Sequence, residues 1–461
     1  MMGRHSQKAI ECASPRKVCM AASSAVTALD LEERAIHKIR VRIIPFLFVL
    51  FVINYIDRVN IGFAALTMNK ELALTSQQYG FIAGIFFFGY FIFEVPSNLL
   101  LHRLGARVWI ARILISWGIV AVFTGFVRTA FQLSALRFLL GVAEAGYWPG
   151  IALYLTFWFR HRHLAQATAL IAMGNPIANM VGAPISGWIL DHVHWIGLSS
   201  WRWLLILEGI PAVLAGIFTY FFLPNRPGDA KFLKPDEKDC ILAELRKEES
   251  EKLSIYRITA RQALTNGQIW YLISLYFPYL LSMYTVVFWM PQLIKAATGQ
   301  FSNTAIGSLV MLPYIAAVLA MIMLGRSSDR SLERRYHAAC PEIVAAIALF
   351  LISTIVAPSL WLLIVLWCLV AIGIFSFMGP FWSLPCTFLA GSSAAVGIAL
   401  INSIGNIGGF VGPYAMGAIN WRTGSFRGGL VLAGTSLLLS ATLLFLSPKM
   451  LKHTAPSKIA T

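Results

Sequence analysis

The sequence predicts an all-α membrane protein, with twelve transmembrane helices in two pseudo-symmetric six-helix halves. Three observations predict it. The chain of 461 residues is 58% hydrophobic and only 13% charged, with a mean hydropathy of +0.70, a balance foreign to ordinary soluble globules. Twelve apolar stretches approach or exceed the ~20 residues that cross a bilayer as a helix. One long polar break, 224–268, separates the first six from the last six.

Taken in order, residues 1–42 are an N-terminal segment expected in the cytoplasm. Its first apolar run is too short for a secretory signal, and Met20 offers a second start. Residues 29–42 have the pattern of a short amphipathic helix lying on the membrane surface. The first half, 43–223, holds spans at 43–66, 79–101, 109–128, 132–158, 164–190 and 202–223. The cytoplasmic central loop, 224–268, opens on the proline-rich turns PNRPGDAKFLKP and continues as DEKDCILAELRKEESEK, a charged helix of alternating sign. The second half, 269–447, holds spans at 269–294, 303–324, 340–357, 360–389, 394–418 and 428–447, and 448–461 is a cytoplasmic tail.

The chain carries 37 Lys+Arg against 21 Asp+Glu, a net charge of +16. In a soluble protein this would suggest nucleic acid; here the positive-inside rule accounts for it. Basic clusters follow or precede alternate spans: His37 to Arg42, His102 to Arg107, Arg160 with Arg162, Arg326 to Arg335, and Lys449 to Lys458. The opposite loops hold scattered cations such as Lys70, Arg128 and Lys295. Both termini are therefore expected inside the cell (inner or plasma) membrane, with the bilayer as partner and no nucleic acid. The six cysteines show no paired or metal-binding spacing, so neither a metal nor a cofactor is expected. The absence of HExxH and GxSxG patterns argues against an enzyme.

The halves echo one another. Span 5 reads Asn175-Pro-Ile-Ala-Asn179-Met-Val-Gly182 and span 11 reads Asn402-Ser-Ile-Gly-Asn406-Ile-Gly-Gly409. The loops after spans 2 and 8, HRLGAR and SDRSLERR, also correspond. Such repeats are how transporters build a pathway between two bundles.

Two charged pairs stand out within apolar spans: Asp57 and Arg58 in span 1, Arg137 and Glu144 in span 4. Each charge costs roughly 2.5–3.5 kcal/mol at such depth. Counting ~1.5 Å per residue from the assumed span ends puts Arg137 level with Asp57 and Arg58, and Glu144 two turns deeper. A purely structural lock is unconvincing, since buried ion pairs are poor sources of stability. In a water-accessible cavity the four groups have a use. Asp57 and Glu144 occupy the arginines until protonated; then Arg58 or Arg137 can grip a carboxylate by bidentate hydrogen bonds. Glu94, two turns from the cytoplasmic end of span 2, is expected to bond a loop-end cation such as Arg112. Spans 7 to 12 read as uncharged at mid-membrane.

The stretches NYIDRVN (54–60), FGYFIFEVPSNLLLHRLGAR (88–107), RFLLGVAEAGYWPG (137–150) and LPCTFLAGSSAAVGIALINSIGN (384–406) make the chain similar to the major facilitator superfamily. Within it, residues 35–450 resemble the anion:cation symporter branch, with its bacterial tartrate, phthalate and sugar-acid transporters. His102 departs from the superfamily pattern, which has an acid there, whereas Asp329 keeps it. The resemblance implies uptake of a small organic anion, such as tartrate, by proton symport with alternating access in a monomer. It implies proton coupling at Asp57 and Glu144 and substrate binding at Arg58 and Arg137. It also places substrate contacts at Tyr90, Asn175, Trp382, Asn402 and Asn406, with Tyr279 and Tyr284 ranking below them. Aromatic carboxylates, sugar acids, anion efflux or exchange, and a non-transporting anion sensor are the alternatives.

Overall fold

The computed structural model describes residues 15–255, 265–331, 333–355, 359–384 and 392–446. In the first half, α1 (Pro15–Val59) and α2 (Ile61–Glu71) form span 1, α3 (Ser76–Leu104) span 2 and α4 (Ala106–Thr124) span 3. Span 4 is α5 (Ala130–Glu144) with α6 (Tyr147–Thr156), span 5 is α7 (His161–Ala172) with α8 (Gly174–His192), and span 6 is α9 (Ser200–Phe222). The charged central helix is α10 (Pro235–Ile255). Then come α11 (Gly267–Thr298), α12 (Asn303–Ser331), α13 (Arg335–Thr354) and α14 (Leu360–Ser383) as spans 7 to 10. Span 11 is α15 (Ser392–Asn406) with α16 (Gly408–Thr423), and span 12 is α17 (Arg427–Leu446). The tail 448–461 lies outside the described residues, as does 385–391 of the last motif quoted above.

Ten of these stretches are long and apolar enough to cross a membrane. Spans 5 and 11 are broken, at Met173 and Ile407, and carry the Asn, Gly and Pro of the paired motif in place of aliphatic residues. Start signals are local: Thr75, Thr129, Asn266 and Ser359 accept from backbone N–H groups of α3, α5, α11 and α14, satisfying donors that a helix leaves unpaired.

The expected surface helix at 29–42 is not separate. It is the continuous start of α1, because its apolar stripe, Ala35, Ile36 and Ile39, is buried in protein. Lys38 donates to both carboxylate oxygens of Glu237 on α10, at 2.6 and 2.9 Å, and Arg160 joins Glu32 at 3.1 Å to Glu244 at 2.8 Å. Burial pushes the Glu237 carboxyl up, but the bonds from Lys38 and the Lys234 backbone outweigh it and hold it below its usual range. A lowered carboxyl stabilises above its unfolded pKa and loses that contribution as pH falls. The α10 docking is therefore complete at neutral pH and weakens only in acid.

The loop echo is structural. Arg107 donates from Nε to the Leu223 carbonyl at 2.6 Å, at the end of span 6. Arg335 donates to the Leu444 carbonyl at 3.2 Å, and also to that of Phe445, at the end of span 12. Each arginine thus caps the last helix of its own half, where free carbonyls and the dipole favour a cation. Asp329 pairs with Arg334 at 2.6 Å.

The halves meet at the membrane side opposite the termini. Asn420 donates to Ser76 at 2.7 Å, Gln77 to Tyr414 at 3.0 Å and Tyr79 to the Phe288 carbonyl at 2.9 Å. Asp191, at the end of α8, accepts from Asn303 and Thr304 at the start of α12. Just inside that clamp, Gly187 and Gly307 let the two helices cross so closely that a Cβ on either would strike the facing backbone.

Candidate functional site

Helix breaks position the central charges. Span 1 breaks at Asn60, two residues past Arg58, and span 4 breaks straight after Glu144. Gly146 makes the second break with φ +81°, a left-handed conformation that strains any residue with a Cβ. Asn60 keeps helical angles, so span 1 runs on past Arg58, whereas Glu144 ends a helix whose C-terminal dipole disfavours it uncompensated.

The two form an ion pair between Arg58 Nη2 and Glu144 Oε1. Arg58 also donates to the Tyr284 hydroxyl of α11 at 3.3 Å, which ties the pair to the second half. Its guanidinium lies 5.2 Å from the Phe86 ring and 5.4 Å from that of Tyr90, within cation–π range. The depth count above was two turns out. Measured from the helix ends opposite the termini, Glu71 and Ala130, Arg58 and Glu144 both lie ~20 Å in, because span 1 continues as α2.

Arg137 is 1% exposed and has no ion-pair partner among the described residues. Its Nε and Nη2 are buried without hydrogen bonds, and its guanidinium sits 5.4 Å from the Phe86 ring that Arg58 also faces. Asp57 forms an ion pair with neither arginine: its Oδ2 accepts from Trp117 Nε1 of α4 at 2.8 Å. The expectation that two acids occupy two arginines thus holds for one pair only. A hydrogen bond to a buried charged group is worth about 1.5–3 kcal/mol, so Trp117→Phe should lower the thermal midpoint of the detergent-purified protein. An unchanged midpoint would show that the bond contributes nothing.

The remaining candidates divide. Tyr90 (2% exposed) lies beneath Arg58, and Asn402 (7%) faces it across the halves through Glu94. Asn175 follows the break in span 5, with its carbonyl accepting from Asn179 at 3.0 Å. Asn406 ends α15 at the break in span 11. Trp382 stacks edge-on with Tyr276 at 5.2 Å and Phe381 at 5.4 Å, in an aromatic cluster that includes Tyr279 and Phe377. The paired Asn motifs are not equivalent: the span 5 break precedes its motif, the span 11 break follows the second Asn.

Three carboxylates depart from the sequence reading. Glu94 is fully buried and bonds not to Arg112 but across to Asn402 Nδ2 at 2.7 Å and Ser403 Oγ at 2.5 Å. Arg112 lies over the Trp109 ring at 3.9 Å instead. Glu208 of α9 is buried, accepting from Ser186 at 2.7 Å. Glu342 of α13 is buried near Ser440, outside normal hydrogen-bond geometry, so the second half is not free of buried acidic side chains. Each was readable as an acid within or beside an apolar run.

The comparisons agree with this architecture. The Major Facilitator Superfamily profile matches residues 47–413 and again 272–460. A protein of Agrobacterium vitis, provisionally named a tartrate transporter, is 43% identical over 93% of this chain and 96% of its own. A Pseudomonas putida protein, provisionally named the metabolite transport protein NicT, is 42% identical over 92% of this chain and 97% of its own. Among solved structures, a partially occluded inward-open form of the xylose transporter XylE from E. coli superposes with a TM-score of 0.72. It does so at 12% identity, covering 90% of this chain and 98% of that one. The chain belongs to the Major Facilitator Superfamily.

Proposed function

We propose that this chain is a secondary active transporter that takes up a small organic anion with protons by alternating access between halves 43–223 and 269–447. The observation that carries the reading is the state of the two central arginines. Among the described residues, Glu144 is the one carboxylate on Arg58, which also donates to the Tyr284 hydroxyl, while Arg137 has buried donors and no ion-pair partner. Such a pair is an unfinished anion site: a carboxylate cargo supplies the acceptors that Arg137 lacks, and protonated Glu144 releases Arg58 to share the cargo. Asp57 is the second proton-coupling group, acting behind the pair through α1. Tyr90, Asn175, Asn402, Asn406 and Trp382 form the polar and aromatic wall. The tartrate-transporter name of the similar Agrobacterium vitis protein supports a carboxylate cargo, tartrate-like or another organic acid.

With basic clusters marking the termini side as cytoplasmic, the opposite-side contacts close the external face in this state. Arg58, Arg137, Asp57 and Glu144 are 9%, 1%, 1% and 1% exposed, so the site is occluded. The reading is tested in proteoliposomes with an imposed pH gradient: tartrate should accumulate, and uptake indifferent to the gradient would defeat proton symport. Arg137→Lys should lose at least about tenfold in uptake, because a point charge lacks the planar fork that grips a carboxylate. Normal uptake would assign Arg137 a structural role.

A further inference from the structure

We infer that Glu94 is a positioning residue that turns Asn402 into a hydrogen-bond acceptor and so selects a hydroxyl-bearing carboxylate over one without hydroxyls. The inference rests on the anion-transport reading above. Glu94, on α3, receives Asn402 Nδ2 at 2.7 Å and Ser403 Oγ at 2.5 Å, both from α15 of the other half. Both Glu94 oxygens accept, Oε1 from Asn402 Nδ2 and Oε2 from Ser403 Oγ, and this fixes which way the Asn402 amide points. Nδ2 is committed to Glu94, and Oδ1 is left with no bond among the described residues.

The placement puts Asn402 near the cargo. Tyr90 and Glu94 are one turn apart on the same face of α3, and Arg58 lies over the Tyr90 ring at 5.4 Å. An anion held by the arginines therefore has Asn402 about one helical turn away. The first-half wall offers donors for carboxylate oxygens; Asn402 Oδ1 offers the complementary acceptor, which suits a substrate O–H. A carboxylic acid with hydroxyls satisfies both, whereas a bare or aromatic acid leaves that acceptor unpaired. Such orphaned groups, more than lost attraction, are what give polar sites their selectivity.

Binding of tartrate and of succinate, which share a carbon chain and differ only in two hydroxyls, is compared on the full-length purified protein by thermal shift and by competition in proteoliposomes. The wild type should prefer tartrate by about tenfold or more. Glu94→Gln has an amide that can donate, which lets Asn402 reverse and present Nδ2, so the preference should fall to within about threefold while succinate binding persists. A merely structural role would weaken both acids together and leave their ratio unchanged, which would overturn the inference. Where Glu94→Gln yields no folded protein, the wild-type ratio decides alone: equal affinities overturn the inference. Equal but tight binding of both acids leaves the anion reading standing, whereas binding of neither defeats that reading itself.

Discussion

Glu144→Gln should abolish gradient-driven accumulation of the cargo, a loss of about tenfold or more, while exchange of internal for external anion persists. Glu144 is the sole carboxylate on Arg58 among the described residues, and it closes α5 where the helix dipole disfavours negative charge. In the proposed cycle its compensating positive charge is Arg58 when the site is empty and a proton when the cargo takes Arg58. Glutamine mimics the protonated state in shape and keeps an oxygen for Arg58, so the pocket should still bind and reorient loaded. What it cannot do is release a proton on the cytoplasmic side. Removing one partner of a buried pair outright costs about 3–5 kcal/mol, so Glu144→Ala should express poorly where Glu144→Gln does not. Labelled-tartrate accumulation and counterflow on the same vesicles separate the two behaviours. Accumulation at the wild-type level would exclude Glu144 as a proton carrier.

The fold was legible because a bilayer leaves so few options. Every apolar stretch must satisfy its own backbone, hence must be helical, and the described helix ends fall within a few residues of the expected ones for most spans. Span 1 is the instructive exception. Its helix overruns both membrane faces, through α10 contacts at Lys38 and through α2 to Glu71, and no hydropathy count registers an overrun packed against protein. That one error misplaced Arg58 against Arg137 rather than Glu144. The identities of the central charges were plain, since lipid penalises them wherever they occur. Their pairing was not, because it depends on which way adjacent residues turn from a broken helix. Asp57 and Arg58 are neighbours in sequence yet serve Trp117 and Glu144 on different helices. Glu94 shows the same limit: its partners lie in the other half, which nothing local to span 2 could indicate.

Asp191→Ala should shift the transporter away from the externally closed state. Asp191 accepts from the backbone and side chain of Asn303 at 3.1 and 2.8 Å, and from those of Thr304 at 2.6 and 2.7 Å. One carboxylate of the first half thereby caps the N-terminus of α12 in the second, where the dipole favours an anion. Opening the external face must break this cap, because Gly187 and Gly307 cross just inside it. Burial pushes the Asp191 carboxyl up, but the four bonds outweigh it and hold it below its usual range. A lowered carboxyl stabilises above its unfolded pKa of ~3.9 and loses that contribution as pH falls through the folded value. The clamp should thus be fully formed from neutral pH down to mild acid, so titration of this gate does not open it in that range. Losing the clamp should cost the closed state on the order of 2–3 kcal/mol, even allowing for water replacing some bonds. That corresponds to roughly a 30- to 150-fold shift in the access equilibrium. Spin labels at His194 and Gln300, on loops that flank the clamp, report it directly. The variant should show a longer-distance population scarce in the wild type, together with faster exchange of the Asn303 and Thr304 amides. An unchanged distance distribution would mean that the glycine crossing alone holds the external face shut, and that Asp191 merely finishes a helix.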